Sequence, residues 1–228
     1  MTVGDQNTQG WWSRTTLHLV DHTTPRSLGA RARLKRWNLL LQRYPAVTDW
    51  RVIDLGGTPD AWLAAPVRPQ HVLIVNLQRF ENVPEWMSSI PADACDLPAE
   101  VHAVTYDLVY SNSVIEHVGG HDRRELFAAN VRALAPRYWV QTPNRYFPIE
   151  PHWMFPAMQF FPKRARASVI RHWDPRRTRG SLRSRESALA EASSVELLTK
   201  TELEYYFPDA TILRERFSGM TKSFVALR

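Results

Sequence analysis

The sequence has very little cysteine and glycine, and each scarcity excludes something. Cys95 is the only cysteine in 228 residues, so no internal disulfide can form. A single thiol fits a reducing compartment, and a cytoplasmic location is expected. No apolar run approaches the ~20 residues needed to span a bilayer. The opening MTVGDQNTQGWW has no basic stretch followed by an apolar one, so it does not read as a secretory signal. Residues 1–26 are polar and are expected to form a flexible segment ahead of one domain over 27–228. With only nine glycines, no G-x-x-x-x-G-K-[ST] phosphate loop occurs. No G-x-G-x-x-G dinucleotide fingerprint occurs either. The formal charge of +6 permits an anionic partner without demanding one.

What the chain does contain is alternation. Apolar residues at Leu28, Leu34, Trp37, Leu40 and Leu41 suit a helix with one buried stripe over 27–45. RVIDL (51–55), HVLIVNL (71–77), a short run ending near Ile90, YDLVYSN (106–112) and RYWVQT (137–142) read as strands. TPDAWLAA opens a helix with Thr58 as cap and Pro59 at its first position. HDRRELFAANVRAL (121–134) is an amphipathic helix, and His121 caps or flanks it. TKTELEYYF (199–207) is helical. ATILRERF and TKSFVALR, joined by a short link, read as an antiparallel pair. Strands alternating with helices predict an α/β fold, with a mostly parallel sheet covered on both faces. Residues 148–194 break the rhythm with aromatics and then arginines. They are read as an inserted cap beyond the carboxyl ends of the strands, where open parallel sheets bind ligands.

RVIDLGGTPD, residues 51–60, places a carboxylate at a strand end and two glycines directly after it. Asp60 stands where a pyrophosphate would approach and would repel it. A cofactor with a positive sulfonium and an amino group has the opposite demand, which Asp54 and Asp60 satisfy. Other strand ends add polar groups. Asn76 follows the second strand and could pair with ribose hydroxyls. Asp93 follows the third and could accept from an adenine amino group, with the Ala94 amide beside it. Small polar residues end the fourth.

In combination, VIDLGGTPDAW, ADACDLP and YDLVYSNSVIEHV resemble the motifs of class I S-adenosylmethionine-dependent methyltransferases. QTPNRYFPIEPHW and LLTKTELEYYFPDATILRERFSGMTKSFVAL resemble a type 11-like bacterial branch of that family. The resemblance runs from about Arg51 to Arg228. It implies a Rossmann-like seven-stranded sheet in the order 3-2-1-4-5-7-6, with the last strand antiparallel. It also implies S-adenosylmethionine as cofactor and S-adenosylhomocysteine as product. Asp54, Gly56 and Gly57 would hold the methionine end, and Asn76 with Leu77 would face ribose and adenine. Asp93 and Ala94 would read the adenine, while Ser111 and Asn112 would line the sulfonium side. The sequence departs from the family pattern at Asp60, where a third glycine is usual, and at Asn76, where an acid is usual.

Methyl transfer to an alcohol needs alignment, exclusion of water and a base. Two pairs are candidates: Glu116 with His117, past the fourth strand, and Glu150 with His152, past the fifth. In some related methyltransferases an ExxEH segment at this point binds magnesium. Here Ser113 replaces its first glutamate and no metal is expected, although Glu116, His117 and His152 could hold a divalent ion. The basic stretch of Lys163, Arg164, Arg166, Arg171, Arg176, Arg177, Arg179, Arg183 and Arg185 reads first as a solvated face. It could also meet an anionic substrate or a nucleic-acid backbone. Trp153, Phe155, Phe160, Phe161 and Trp173 could stack on bases or sugars, or clasp a lipid. The preferred reading is O-methylation of a small or medium hydroxyl acceptor, glycosylated, anionic or lipid-linked. No [DN]-P-P-[YF] motif of N-methyltransferases follows the fourth strand. The alternatives are a nucleic-acid methyltransferase and a non-catalytic cofactor-binding protein.

Overall fold

A computed structural model describes residues 28–173 and 183–228. The expectation for residues 1–26, and the basic positions Arg176, Arg177 and Arg179, lie outside the described residues. Helix α1 (Leu28–Arg43) precedes β1 (Arg51–Leu55), α2 (Pro59–Leu63), β2 (His71–Asn76), β3 (Met87–Pro91) and α3 (Ala99–His102). Then come β4 (Leu108–Asn112), α4 (His121–Leu134) and β5 (Tyr138–Pro143). A short ribbon, β6 (Ile149–Glu150) with β7 (Phe155–Pro156), and helices α5 (Lys163–His172) and α6 (Arg185–Ser193) follow. Helix α7 (Lys200–Tyr206) leads to the hairpin β8 (Thr211–Phe217) and β9 (Met220–Leu227).

Seven strands form one sheet in the order β3-β2-β1-β4-β5-β9-β8. Strands β1 to β5 are parallel, and β9 runs antiparallel to both β5 and β8. With the ribbon set aside, this is the order and polarity expected from the sequence. The central strands are apolar on both faces because helices cover both. Val52, Ile74, Leu108, Tyr110 and Trp139 meet α1 and α2 through Trp37, Leu40 and Trp62. Ile53, Val75, Val109 and Val140 alternate with them and meet α4 and α7 through Phe127, Val131 and Leu203. Helix α7 opens with a capping box between Thr199 and Glu202. At α2, Pro59 takes the first turn and Thr58 the cap position as expected, but the Thr58 side chain makes no capping bond.

Residues 148–173 and 183–194 hold more regular structure than their sequence signals. Trp153, Met158, Ala167, Ile170, Ala188 and Val195 bury together as a small separate core. Two-residue strands are too short to show alternation, and α5 and α6 meet largely through alanines, so neither carries a strong apolar stripe. Trp153 is a core residue here rather than a stacking platform.

Helix α1 is fastened to the sheet at two points. Tyr44 donates its hydroxyl to the Arg228 carbonyl at 2.7 Å. Arg36 donates to both oxygens of Glu215 on β8, at 2.8 and 2.7 Å, and both side chains are largely buried. Removing one partner of such a pair leaves an uncompensated charge. Glu215→Ala is therefore expected to lower the unfolding free energy by about 3–5 kcal/mol, and Arg36→Met with Glu215→Leu to recover most of it. Denaturant titration of the three proteins checks this, and a double variant no more stable than Glu215→Ala would rule the ion pair out as the fastening.

Candidate active site

The glycine turn after β1 is shaped by contacts that leave no room for side chains. Gly56 has φ +83°, and a Cβ there would lie 2.5 Å from Val114 Cγ2. A Cβ on Gly57 would lie 1.7 Å from Asp54 Oδ2. Asp54 itself is buried. Trp62 Nε1 donates to its Oδ2 at 2.7 Å, while Oδ1 is buried without a partner among the described residues. Burial pushes the Asp54 carboxyl up to about 7, against the pull of the Trp62 hydrogen bond. Trp62 and Trp37 both pack on Tyr110, with ring centroids 5.3 and 5.2 Å away, so the acid ends in an aromatic cluster.

Asn76, at the end of β2, is turned toward the same loop. Its Nδ2 donates to the carbonyls of Gly57 at 2.8 Å and Gly56 at 3.3 Å, and its Oδ1 accepts from Gln78 N at 3.0 Å. An aspartate could not donate those bonds. The amide at a position where an acid is usual thus has a local physical reason. Beside it Leu77 is 77% exposed.

The remaining cofactor candidates lie along the same sheet end. Asp93 Oδ1 accepts from Cys95 N at 2.9 Å, and Oδ2 accepts from Arg123 Nη2 at 2.5 Å. Burial opposes its ionisation, but the Cys95 amide and the Arg123 guanidinium outweigh it and hold the carboxyl below its usual range. The Ala94 carbonyl accepts from Asn130 Nδ2 at 2.9 Å. Ser111 is buried and donates to the Leu55 carbonyl at 2.9 Å, tying β4 to β1. Asn112 accepts at Oδ1 from Arg36 Nη1 at 2.5 Å. Arg36 was not among the residues the sequence singled out. It sits in RARLKR, where nothing distinguishes one arginine from a solvated neighbour.

The two Glu–His pairs converge. After β4 the chain turns through Ser113, at φ 57°, which donates its hydroxyl to Gln141 Oε1. That turn leads to Glu116, which is buried. Glu116 Oε2 accepts from Thr142 Oγ1 at 2.9 Å, and its Oε1 has no partner among the described residues. Burial pushes this carboxyl up to about 7. From the ribbon, Glu150 Oε1 lies 2.6 Å from His152 Nδ1, and its Oε2 accepts from the backbone amides of His152 and Trp153. The His152 ring, so oriented, places Nε2 at 3.1 Å from His117 Nε2. Two ring nitrogens at that distance need a proton between them, so at least one offers a lone pair there. Burial, and then the neighbouring His152, hold the His117 pKa below its usual value, against the Ser194 carbonyl and Glu150. The ligand atoms of Glu116, His117 and His152 lie within 4.8 Å of one another, close enough to hold a divalent ion. Glu150 would then support the His152 ring from behind.

This sheet order, with a strand-end acid, a glycine turn and polar residues at successive strand ends, is the fold of class I S-adenosylmethionine-dependent methyltransferases. Among solved structures, the chain is similar to an S-adenosylmethionine-dependent methyltransferase of Anabaena variabilis. Identity is 16% over 100% of this chain and 96% of that one, with a TM-score of 0.50. It is also similar to magnesium protoporphyrin IX methyltransferase of Synechocystis, solved with S-adenosylhomocysteine: 10% identity, 97% and 95% coverage, TM-score 0.52. A third is the N-methyltransferase NodS of Bradyrhizobium japonicum with the same product: 8% identity, 94% and 96% coverage, TM-score 0.53. No protein-family model matches the chain, and no curated protein matches its sequence.

Two outcomes follow for the turn. Gly57→Ala must displace the Asp54 carboxylate from Trp62, and losing that buried bond is expected to cost ~1.5–3 kcal/mol in thermal or denaturant unfolding. The raised pKa of Asp54 means that the folded protein binds this proton more tightly than the unfolded chain. That stabilisation is complete below the usual value of 3.8 and is lost as pH rises through about 7. The stability difference between wild type and Asp54→Asn should therefore move against the wild type across that interval. A difference independent of pH would show that the Asp54 pKa is the same in the folded and unfolded chain.

Proposed function

We propose that the chain is an S-adenosylmethionine-dependent methyltransferase acting on the hydroxyl oxygen of a small or medium acceptor. The observation that carries the choice of oxygen is the imidazole pair, His117 Nε2 against His152 Nε2 at 3.1 Å, beside a buried carboxylate. An alcohol must lose a proton to become a nucleophile, and a neutral imidazole lone pair accepts it near neutral pH. In this reading the cofactor lies across the glycine turn, with its methionine amino group toward Asp54 and the turn backbone. Leu77 and the Asn76 side of the turn flank the ribose and adenine, Asp93 with the Ala94 amide reads the adenine edge, and Ser111 and Asn112 border the sulfonium. Residues 148–194 act as the cap that shields the methyl group from water. Held there, S-adenosylmethionine would supply the methyl group to the acceptor oxygen and would leave as S-adenosylhomocysteine. The acceptor proton passes to the imidazole pair, whose His152 ring Glu150 orients.

The similar structures support the cofactor, since those from Synechocystis and Bradyrhizobium were solved with S-adenosylhomocysteine. Their fold also serves N-methylation, so the oxygen assignment rests on the histidines. Charge and composition favour a cytoplasmic enzyme whose acceptor is anionic, glycosylated or lipid-linked.

Calorimetry with S-adenosylhomocysteine is expected to show binding that Asp54→Ala and Gly56→Val each weaken. Tight binding of a nicotinamide dinucleotide in its place would overturn the cofactor. His117→Ala or His152→Ala should lower turnover by ~10²–10⁴ while leaving cofactor affinity nearly unchanged. Because the base works only when neutral, the rate should rise with pH through a pKa below the usual histidine value of 6.5 and then level off. If both variants turn over normally, the histidines are structural. If added magnesium restores a dead variant, the residue is a metal ligand.

A further inference from the structure

A continuous aromatic surface rims the carboxyl end of the sheet. Strand β8 ends there at Phe217 and β9 starts there at Met220, because β9 runs antiparallel to β5, whose carboxyl end pairs with Ser223. Phe217 and Met220 are exposed at the hairpin tip, and Tyr146, Phe160, Phe161 and Trp173 are exposed on the segment that follows β5. Ring contacts gather the rings into three groups, which follow one another along the chain through the neighbours Phe160–Phe161 and Tyr146–Phe147. Trp173 and Phe161 both pack on Phe155, Phe160 stacks on Tyr146, and Phe147 meets Phe217. Tyr146 is 68% exposed and Phe160 50%, so large apolar groups face solvent where a monomer would normally hide them.

The segments that carry these rings are predominantly basic, with Asp174 next after Trp173 and Glu186 on α6 as the acids beyond them. Between Tyr146 and Trp173 the sole acid is Glu150, and between Arg214 and Lys222 it is Glu215. Neither offers a charge to the surface: Glu150 is buried under His152 and two backbone amides, and Glu215 is paired with Arg36. Lys163, Arg164 and Arg216 are exposed beside the rings. Helix α5 carries no acid, and it runs between the Phe160–Phe161 pair at its start and Trp173 at its end.

We infer that this face docks on an anionic lipid surface, inserting the aromatic rim between headgroups while Lys163, Arg164 and Arg216 meet their phosphates. Exposed aromatics joined to a basic face are the combination that lies in a membrane interface without spanning it. Nucleic acid fits less well. Phe155–Phe161 and Phe155–Trp173 pack edge to face, at 70° and 80°, and Tyr146–Phe160 alone lies near parallel, at 25°, which falls short of the row of platforms that successive bases stack on. A second copy fits less well too, because a two-fold contact would set this predominantly basic face against itself. The docking rests on the proposed function only in one respect, that it turns the mouth of that site toward a lipid-borne acceptor.

The test is cosedimentation of the full chain with phosphatidylglycerol vesicles and with phosphatidylcholine vesicles, beside anisotropy with a single-stranded oligonucleotide. No methyl transfer is read, so failure here leaves the methyltransferase reading standing, and failure of that reading leaves docking standing. The wild type should partition strongly onto phosphatidylglycerol and weakly onto phosphatidylcholine. Each basic residue at such a surface multiplies affinity about fivefold, so Lys163→Ala with Arg164→Ala should lower partition about 25-fold. Phe160→Ser with Phe161→Ser should abolish the binding that survives high salt. Both variants should keep a cooperative unfolding transition and the wild-type cofactor affinity. The inference is overturned if the wild type ignores phosphatidylglycerol, or if neither variant changes its partition. It is also overturned if the oligonucleotide binds more tightly than the vesicles and is lost in the same variants, or if Phe160→Ser with Phe161→Ser breaks a dimer and leaves vesicle binding intact.

Discussion

A carboxylate buried at the end of β1 organises this molecule. Asp54 has one hydrogen bond, from Trp62, and one oxygen without a partner among the described residues. A buried acid with half its bonding capacity unused is costly, and burial raises its pKa to about 7. The surroundings bear that cost in a definite way. Trp62 is held against Tyr110 and Trp37, so the donor cannot turn away. Gly57 leaves the space that the carboxylate fills, and Asn76 holds the turn by its carbonyls. A positive amino group brought to this turn would meet an acid already in place, which is electrostatic preorganisation in its simplest form.

The second half of the site depends on a different constraint. Glu116 and His117 follow β4, and Glu150 and His152 follow β5. These strands are neighbours in register from Val109↔Tyr138 to Asn112↔Gln141. Their loops therefore leave the sheet side by side. The ribbon β6–β7 then returns His152 against His117, and Glu150 meets the ring at Nδ1 while accepting from the backbone amides of His152 and Trp153. The same Glu150 that orients a ring is withdrawn from the surface, so it adds no exposed acid to the stretch between Tyr146 and Trp173.

Helix α1 joins the two halves. Arg36 binds Glu215 on the edge strand β8 and Asn112 at the end of β4, so one guanidinium touches the sheet edge and the candidate sulfonium side together. Glu215 also accepts from Ser223 on β9, at 2.5 Å. A charge network of this kind adds specificity of position as well as energy, since each member is nearly buried and has few alternative partners.

The sheet was legible in the sequence because its signals are local. RVIDL, HVLIVNL, YDLVYSN and RYWVQT are short apolar runs, HDRRELFAANVRAL has a helical period, and a short link between the last two strands requires an antiparallel pair. The candidate cofactor positions were read from the same local signals, each lying within three residues of a strand's carboxyl end. Residues 148–194 were legible only as an interruption, since two-residue strands and alanine contacts leave no period to read. Three features were decided by tertiary structure alone: Arg36 reaching Glu215 across 179 residues, Asn76 turning to brace the glycine loop, and the imidazoles of His117 and His152 meeting from separate loops. Sequence spacing determines which side chains share an element and a face. Which side chains of different elements come within hydrogen-bonding distance depends on how those elements pack, and that is set by the whole core at once.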